Sequence, residues 1–547
     1  MLNFAATKLE ELIFSNYTSK MKIALAQLNY TIGDINGNTA RIVEAVRKAD
    51  AAGADLVLFA EYAVSGTPAY DLLRKTTFLT LCEEALEDIA KECVRVTAIV
   101  GSPMLTDRGA VSAAVVLRHG RIEHVVEKQY ISARREMGFI VSGNGYQVID
   151  ILGAKIAILV GDDLSHLSEL EDEADLVVSV NARRYGKGLL SSRQEMLRRL
   201  TFTEARDVVF INQVGGSGDI VFDGTSGVMN RHGKPELMMK SFEEDFQLYD
   251  TLADNEPFEV PYTTYNDRTR MIYKAACLGL RDYFHKNGYA KACVGLSGGI
   301  DSSVVACLAV GALGAENVKG LMMPSQFSSR ESVEDAKKLA ENLGIEYSVL
   351  PINEVYDSII GTLKPVTGGT EFDATEENIQ SRIRTVLLMA LQNKDGYILL
   401  NSSNKSENAI GWCTLYGDTA GAFSPTGDLY KSEIYDLARY INSQFNDVIP
   451  EEVLRKEPTS ELRPDQKDSD ILPPYEVVDA ILYRMIEEGQ HREEIINAGF
   501  DANVVEKIHS MIMKNVKKRY QYPPVLRLST CSFRHECLFP LVNKYGY

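Results

Sequence analysis

Residues 291–304 read KACVGLSGGIDSSV, and this stretch decides the fold of half the chain. The apolar run 291–296 has the length and composition of a short buried strand. The segment SGGIDSS (297–303) follows, and an apolar helix continues from Val304. Gly298 and Gly299 let the backbone turn tightly and approach a ligand closely. At a helix N-terminus, the N–H groups of such a loop, Ile300 included, form an anion nest. Ser297, Ser302 and Ser303 add hydroxyl donors for phosphate oxygens. Asp301 cannot donate to phosphate, so its expected role is to hold Mg²⁺ beside a pyrophosphate. The spacing is not GxxxxGK[ST], so this is not a Walker-type loop. Strand, glycine loop, acid and helix in this order predict a doubly wound parallel α/β sheet. The bland alternative is an ordinary Gly-Ser turn.

Working outward, residues 21–250 alternate short β-rich runs (22–28, 56–59, 98–100, 111–117, 155–159, 176–180, 208–212) with amphipathic helical stretches, which argues a second layered α/β domain. Residues 243–268 are polar and acidic with two prolines and read as linker. The expected organisation is an extension at 1–20, a domain at 21–250, a linker at 251–268, a second domain at 269–520 and a tail at 521–547. Residues 1–20 lack the features of a signal peptide and read as an extension or the product of an upstream start codon. The net charge of −18 argues against bulk nucleic-acid binding. No run reaches the roughly 18 apolar residues of a membrane span. Eight cysteines without a CxxC pair suit neither a disulfide scaffold nor zinc, and the expected compartment is the reducing cytoplasm. Residues 511–547 hold seven Lys/Arg against one Glu, a basic patch suited to a solvated face or to an anionic substrate.

The loop resembles the pyrophosphate loop of the ATP pyrophosphatase superfamily, which cleaves ATP between its α and β phosphates. The strings MPSQFSSRESVEDAKKLAENLGI (323–345), ENIQSRIR (377–384), SSNKSE (402–407), GWCTLYGD (411–418), DLYKSEIYDLARYIN (428–442) and PTSELRPDQKDSD (458–470) together resemble the NAD⁺ synthetase family. That family converts deamido-NAD⁺, ATP and an ammonia nitrogen into NAD⁺, AMP and pyrophosphate. The resemblance implies that residues 297–303 cradle the ATP phosphates and that Asp301 and Glu407 bind Mg²⁺. It implies that Ser402, Lys431 and Thr459 contact ATP, with Lys431 offsetting charge on the departing pyrophosphate. It further implies that Arg382, Lys517 and Lys518 bind deamido-NAD⁺, and that the protein is a homo-oligomer built on synthetase-domain dimers. Leu415 departs from the lysine that short ammonia-dependent members carry before YGD.

The strings 24–42, 54–73, GSPM (101–104), EKQY (127–130) and 210–229 resemble the nitrilase-like glutaminase domain fused to such synthetases, a four-layer αββα sandwich. Its chemistry needs a nucleophilic thiol, a carboxylate base and a lysine for the oxyanion. Glu61 matches the base and Lys128 the lysine. The thiol is expected directly after the strand at 155–160, where the sequence reads VGDDLS and places Gly161. Glycine cannot be a nucleophile, and no cysteine lies nearby in sequence. Ser165 is a poor substitute without a histidine partner. The residues after Lys128 (131–140) and the pair Arg183–Arg184 also depart from the family pattern. The expectation is an ammonia-using NAD⁺ synthetase with a lapsed glutaminase domain. The alternatives are a glutamine-dependent enzyme with an unrecognised nucleophile, a non-catalytic nucleotide-binding scaffold, or another amidotransferase such as GMP synthetase.

Overall fold

The computed structural model describes residues 21–132, 134, 136–251, 268–368 and 372–544. Two compact units divide the chain, with the main break between Asn266 and Asp267.

Strand β1 (Lys22–Gln27) shows why the first unit has four layers. Ile23 and Leu25 enter the core between two sheets, whereas Ala24 and Ala26 face helices on the outer side. Small residues on the helix side let the helices approach. The other strands are β2 (Leu56–Leu58), β3 (Thr97–Thr106), β4 (Gly109–Arg118), β5 (Arg121–Glu127), β6 (Gln147–Ile151), β7 (Ala154–Val160), β8 (Leu176–Asn181), β9 (Val208–Asn212), β10 (Val214–Ser217), β11 (Ile220–Asp223), β12 (Gly227–Met229), β13 (Pro235–Met238) and β14 (Asp245–Asp250). One six-stranded sheet has the order β14-β1-β2-β3-β4-β5 and the other β13-β12-β9-β8-β7-β6. Helices α1 (Ile35–Ala51) and α2 (Thr76–Glu92) cover the first sheet, and α3 (Leu189–Glu204) covers the second. In β7 the same division recurs: Ile156, Ile158 and Val160 face the other sheet, Ala157 and Leu159 face outward.

One expectation is corrected. The region read as linker from 243 begins with strand β14, antiparallel to β1 from Lys22↔Asp250 to Gln27↔Asp245. Tyr249 enters the inter-sheet core and Phe246 packs on the outer cluster, a pattern hidden by the surrounding acids. Residues 252–267 of the expected linker, and the extension 1–20, lie outside the described residues.

The second unit opens with α4 (Arg268–Lys286) and builds a parallel sheet from β15 (Lys291–Gly295), β16 (Val318–Met322), β17 (Glu346–Val349) and β18 (Tyr397–Leu399), in the order β17-β16-β15-β18. Helices α5 (Ile300–Leu313), α6 (Arg330–Leu343), α7 (Asn353–Thr367), α8 (Ala374–Asp395), α9 (Lys405–Ile410), α10 (Lys431–Gln444), α11 (Tyr475–Ile486) and α12 (Ala502–Lys514) accompany it. The chain leaves β15 toward β16 on one side and later fills β18 on the other. The end of β15 is therefore a topological switch point, where ligands bind in open α/β sheets. The tail set apart at 521 is woven into this unit, since Val525 bridges Ser424 and Asp428 accepts from Ser529 and Ser532. No helix among the described residues is long and apolar enough to cross a membrane.

Candidate active site

At the switch point the loop 297–299 joins β15 to α5. Gly298 has φ +79°, and a Cβ there would stand 2.1 Å from the Ser332 carbonyl oxygen, so the loop tolerates only glycine at this contact. Ser302 and Ser303 donate their hydroxyls to the Gly299 carbonyl at 3.1 and 2.8 Å, and Gly299 N–H donates to Ser297 Oγ at 3.2 Å. These hydroxyls, expected to face phosphate, shape the loop in this structure.

Asp301, in the first turn of α5, accepts from Asn404 Nδ2 at 2.8 Å through Oδ1 and from Lys431 Nζ through Oδ2. Lys431 Nζ also lies 3.5 Å from Glu407 Oε1. Burial opposes the Lys431 ammonium, yet Asp301 and Glu407 outweigh it and hold the group above its ordinary value. Burial, together with the Asp301 charge, pushes the Glu407 carboxyl up to about 8. A cleft of about 140 Å³ is lined by Gly298, Asp301, Glu407, Lys431, Lys456 and Thr459. A larger cleft of about 260 Å³ is lined by Ser297, Arg384, Ser402 and Thr459 among others. Thr459 Oγ1 donates to the Gln466 carbonyl and accepts from Glu461 N–H at 3.2 Å.

The structure does not bring Arg382, Lys517 and Lys518 to either cleft. Arg382 is exposed and donates to the Leu415 carbonyl at 3.2 Å. Lys517 is exposed, and Lys518 donates to the Gly411 and Cys413 carbonyls at 2.7 and 2.8 Å. Two cationic groups that do line clefts were missed, Arg384 and Lys456. Arg384 sits inside the recognised string 377–384, where only helix phase distinguishes it from Arg382, and Lys456 lies just before the string 458–470, outside any segment singled out. Lys405, also unremarked, is a fully buried structural hub that donates to Glu487, Ser529 and the Cys531 carbonyl.

The first unit gathers a second cluster. Glu61 is 1% exposed and accepts from Ser112 Oγ at 2.9 Å and Lys128 Nζ at 3.2 Å. Lys128 Nζ donates to Glu136 Oε2 at 2.8 Å and stands 3.6 Å from Asp162 Oδ2. Burial works against the Lys128 ammonium, but Glu61, Glu136 and Asp162 outweigh it and raise its pKa above the ordinary value. Glu136 lies in the segment read as altered, and its role was not legible there. Gly161 directly follows β7 with φ +56°; a Cβ would lie 2.6 Å from Lys128 Nζ and 2.8 Å from Glu61 Oε2. Its carbonyl accepts from Arg183 Nη2 at 3.1 Å. Ser165 is exposed and contacts Met196 Sδ at 3.9 Å. Cys82 and Cys93 are buried in and just after α2, their thiols pushed up to about 12 by burial.

An αββα layer with a buried Glu–Lys pair, in one chain with a glycine-loop parallel sheet, defines a protein of two α/β units, each with its own cluster of buried charges. Residues 22–246 match the carbon–nitrogen hydrolase family and residues 272–522 match NAD synthase. The glutamine-dependent NAD(+) synthetase of Aquifex aeolicus is 38% identical over 96% of this chain and 100% of its own length. The enzyme of the same name from Acinetobacter baylyi is 37% identical over 95% and 98%. A glutamine-dependent NAD⁺ synthetase structure from Acinetobacter baumannii, in complex with ADP, superposes with a TM-score of 0.77 at 35% identity, covering 96% of this chain and 99% of that one. The chain belongs to the family of two-domain, glutamine-dependent NAD⁺ synthetases, which are ATP-dependent carbon–nitrogen ligases.

Proposed function

We propose that this chain amidates deamido-NAD⁺ to NAD⁺ with ammonia as the nitrogen donor, its glutaminase site having lapsed. The observation that carries the second half is Gly161. It follows β7 between Glu61 and Lys128, where a side chain would have to stand to use both. The atoms nearest that position belong to Lys128 and Glu61, not to a thiol, and Ser165 is exposed whereas Glu61 is buried. A glutamine-dependent reading therefore lacks a nucleophile.

In the synthetase unit, a carboxylate oxygen of deamido-NAD⁺ attacks the α-phosphorus of ATP, and the bond to pyrophosphate breaks. Ammonia then attacks the adenylated carbonyl, the carbon–oxygen bond to AMP breaks, and the nitrogen's surplus proton passes to solvent. The 297–303 loop holds phosphate through backbone N–H groups, and Lys431 supplies positive charge where pyrophosphate departs. Ser402 and Thr459 fall on the cleft walls where they can contact ATP. Catalysis is positioning plus electrostatics. Asp301 and Glu407 are the groups that would hold Mg²⁺. Two carboxylates, one with its pKa raised beside the other, form a donor set that a hard dication with phosphate and water ligands relieves. When bound, the ion would neutralise phosphate charge.

The homo-oligomer reading is supported by an apolar outer face on α7 and α8, where Val355 is 43% and Val386 66% exposed beside Ile359 and Leu387. Arg382 lies on that same face. A deamido-NAD⁺ site shared between copies reconciles it with its expected role.

The deciding experiment supplies ammonium or glutamine separately and measures NAD⁺ and glutamate. NAD⁺ from ammonium, with no glutamate release, is expected. Glutamate released in step with NAD⁺ would overturn the lapsed-glutaminase reading. Absence of ATP-to-AMP turnover with deamido-NAD⁺ would overturn the ligase reading.

A further inference from the structure

Arg382 and Arg384 stand two residues apart on α8, which places their side chains about 200° apart around the helix. The string 377–384 therefore offers two guanidiniums to two different surroundings. Arg382 takes the outer, apolar face. Arg384 turns inward and lines the larger cleft, with its Nε donating to the Met323 carbonyl at 3.0 Å. That is its hydrogen bond to protein; among the described residues its terminal nitrogens meet no acceptor and no carboxylate pairs with it. Burial pushes this guanidinium down to about 10, against the pull of Glu461 and Asp418. A half-buried cation without a paired anion is costly, and a bound anion removes part of the cost. The planar fork of arginine suits two oxygens of one phosphate.

The two clefts show which phosphate. Asp301, Glu407 and Lys431 line the smaller cleft, and Arg384 does not. Arg384 lines the larger one, while Ser297 and Thr459 line both. A triphosphate lying across that shared wall puts its β and γ groups at the loop and Lys431. Its α group then falls toward Arg384. We propose that Arg384 holds the phosphate that stays with adenosine: the α-phosphate of ATP, then of the acyl-adenylate, then of AMP. This rests on the reading that the cleft takes ATP. Lys431 and Arg384 thereby divide the two products of ATP cleavage, one cation for pyrophosphate and one for AMP.

The test measures binding of AMP, adenosine and pyrophosphate to the full chain, in the wild type, Arg384→Gln and Arg384→Lys. The wild type should prefer AMP to adenosine. In Arg384→Gln that preference should fall on the order of tenfold or more, the scale of a lost charge-assisted hydrogen bond. Adenosine and pyrophosphate affinities should hold, and Arg384→Lys should recover part of the preference. An unchanged AMP-to-adenosine ratio in Arg384→Gln overturns the proposal. So does a parallel fall for adenosine, which would mean that the arginine supports the base or the wall. A wild type that binds neither AMP nor ADP would overturn the ATP-cleft reading itself, a failure seen before any variant is compared.

Discussion

Replacing Gly161 with alanine adds one methyl group where the first unit has least room for it. Its backbone sits at φ +56°, a left-handed conformation that costs an L-residue about 1–2 kcal/mol. The new Cβ would stand 2.6 Å from Lys128 Nζ and 2.8 Å from Glu61 Oε2, closer than carbon tolerates. Lys128 can withdraw only by stretching its contacts with Glu61 at 3.2 Å and Glu136 at 2.8 Å, all inside the protein. Breaking a buried pair outright costs about 3–5 kcal/mol, and here the pair is strained rather than removed. The expected destabilisation is about 2–4 kcal/mol. Amide hydrogen exchange reads it locally: protection of β7 and β8 should fall by about 30- to 1,000-fold. The single tryptophan, Trp412, lies in the second unit and serves as the internal control, its unfolding transition unmoved. A loss below about 0.5 kcal/mol, the ordinary surface range, would refute the claim that Glu61 and Lys128 have closed onto this position. By the same geometry Gly161→Cys should gain no glutamine hydrolysis, because the thiol's space is already filled.

Gly298→Ala drives a Cβ to 2.1 Å from the Ser332 carbonyl at φ +79°, and ammonium-dependent NAD⁺ formation should drop by about 100-fold from the displaced loop alone. Lys431→Met should lower kcat by about 10²–10³-fold while ATP affinity changes far less, as measured by steady-state kinetics and direct binding. Chelation of divalent cations should abolish turnover and Mg²⁺ should restore it. Asp428 is held below the ordinary carboxylate range: burial opposes this, but Lys405 and hydrogen bonds from Ser532 and Ser529 outweigh it. Its stabilising contribution is therefore full above an unfolded pKa of about 3.9 and lost as pH falls through that value toward the lower folded one. Trp412 fluorescence should show this acid limb in the wild type, and Asp428→Asn should be less stable at neutral pH with a flatter limb.

Local chemistry was legible in the sequence wherever one segment supplies it. The loop 297–303 announced itself because strand, glycines and helix are contiguous. The place of Gly161 directly after a strand was legible because the apolar run 155–160 is contiguous with it. Strand β14 was missed because its two core contributions, Phe246 and Tyr249, are scattered among acids, and only pairing with β1, more than two hundred residues away, makes them a strand. Arg384 was not singled out beside Arg382 because its place on the cleft wall depends on the rotational phase of α8 relative to β15. Glu136 was missed for a related reason: its link to Lys128 crosses a stretch whose wording departs from the family while its carboxylate still arrives. Lys518 shows the converse, a motif residue that the fold spends on backbone carbonyls.

Both units place a lysine between carboxylates, and the difference between the two clusters lies in access. Lys128 and Glu61 are 1% and 2% exposed at the side chain, and Glu136 also 2%. Its third neighbour, Asp162 at 3.6 Å, is 18% exposed, so two of the three carboxylates around Lys128 are shut away from solvent. Lys431 is 4% exposed, but its partners Asp301 and Glu407 are each 18% exposed and open onto a cleft. There, Asp301 and Glu407 would hold a divalent cation and leave Lys431 for phosphate, an exchange of partners at nearly constant local charge. The same exchange at Lys128 would need a ligand to reach Glu61 past a position where even a methyl group does not fit. On the reading proposed above, a buried lysine–carboxylate cluster would be catalytic machinery in one unit and a structural ion cluster in the other. What decides between them is whether a counter-ion can arrive.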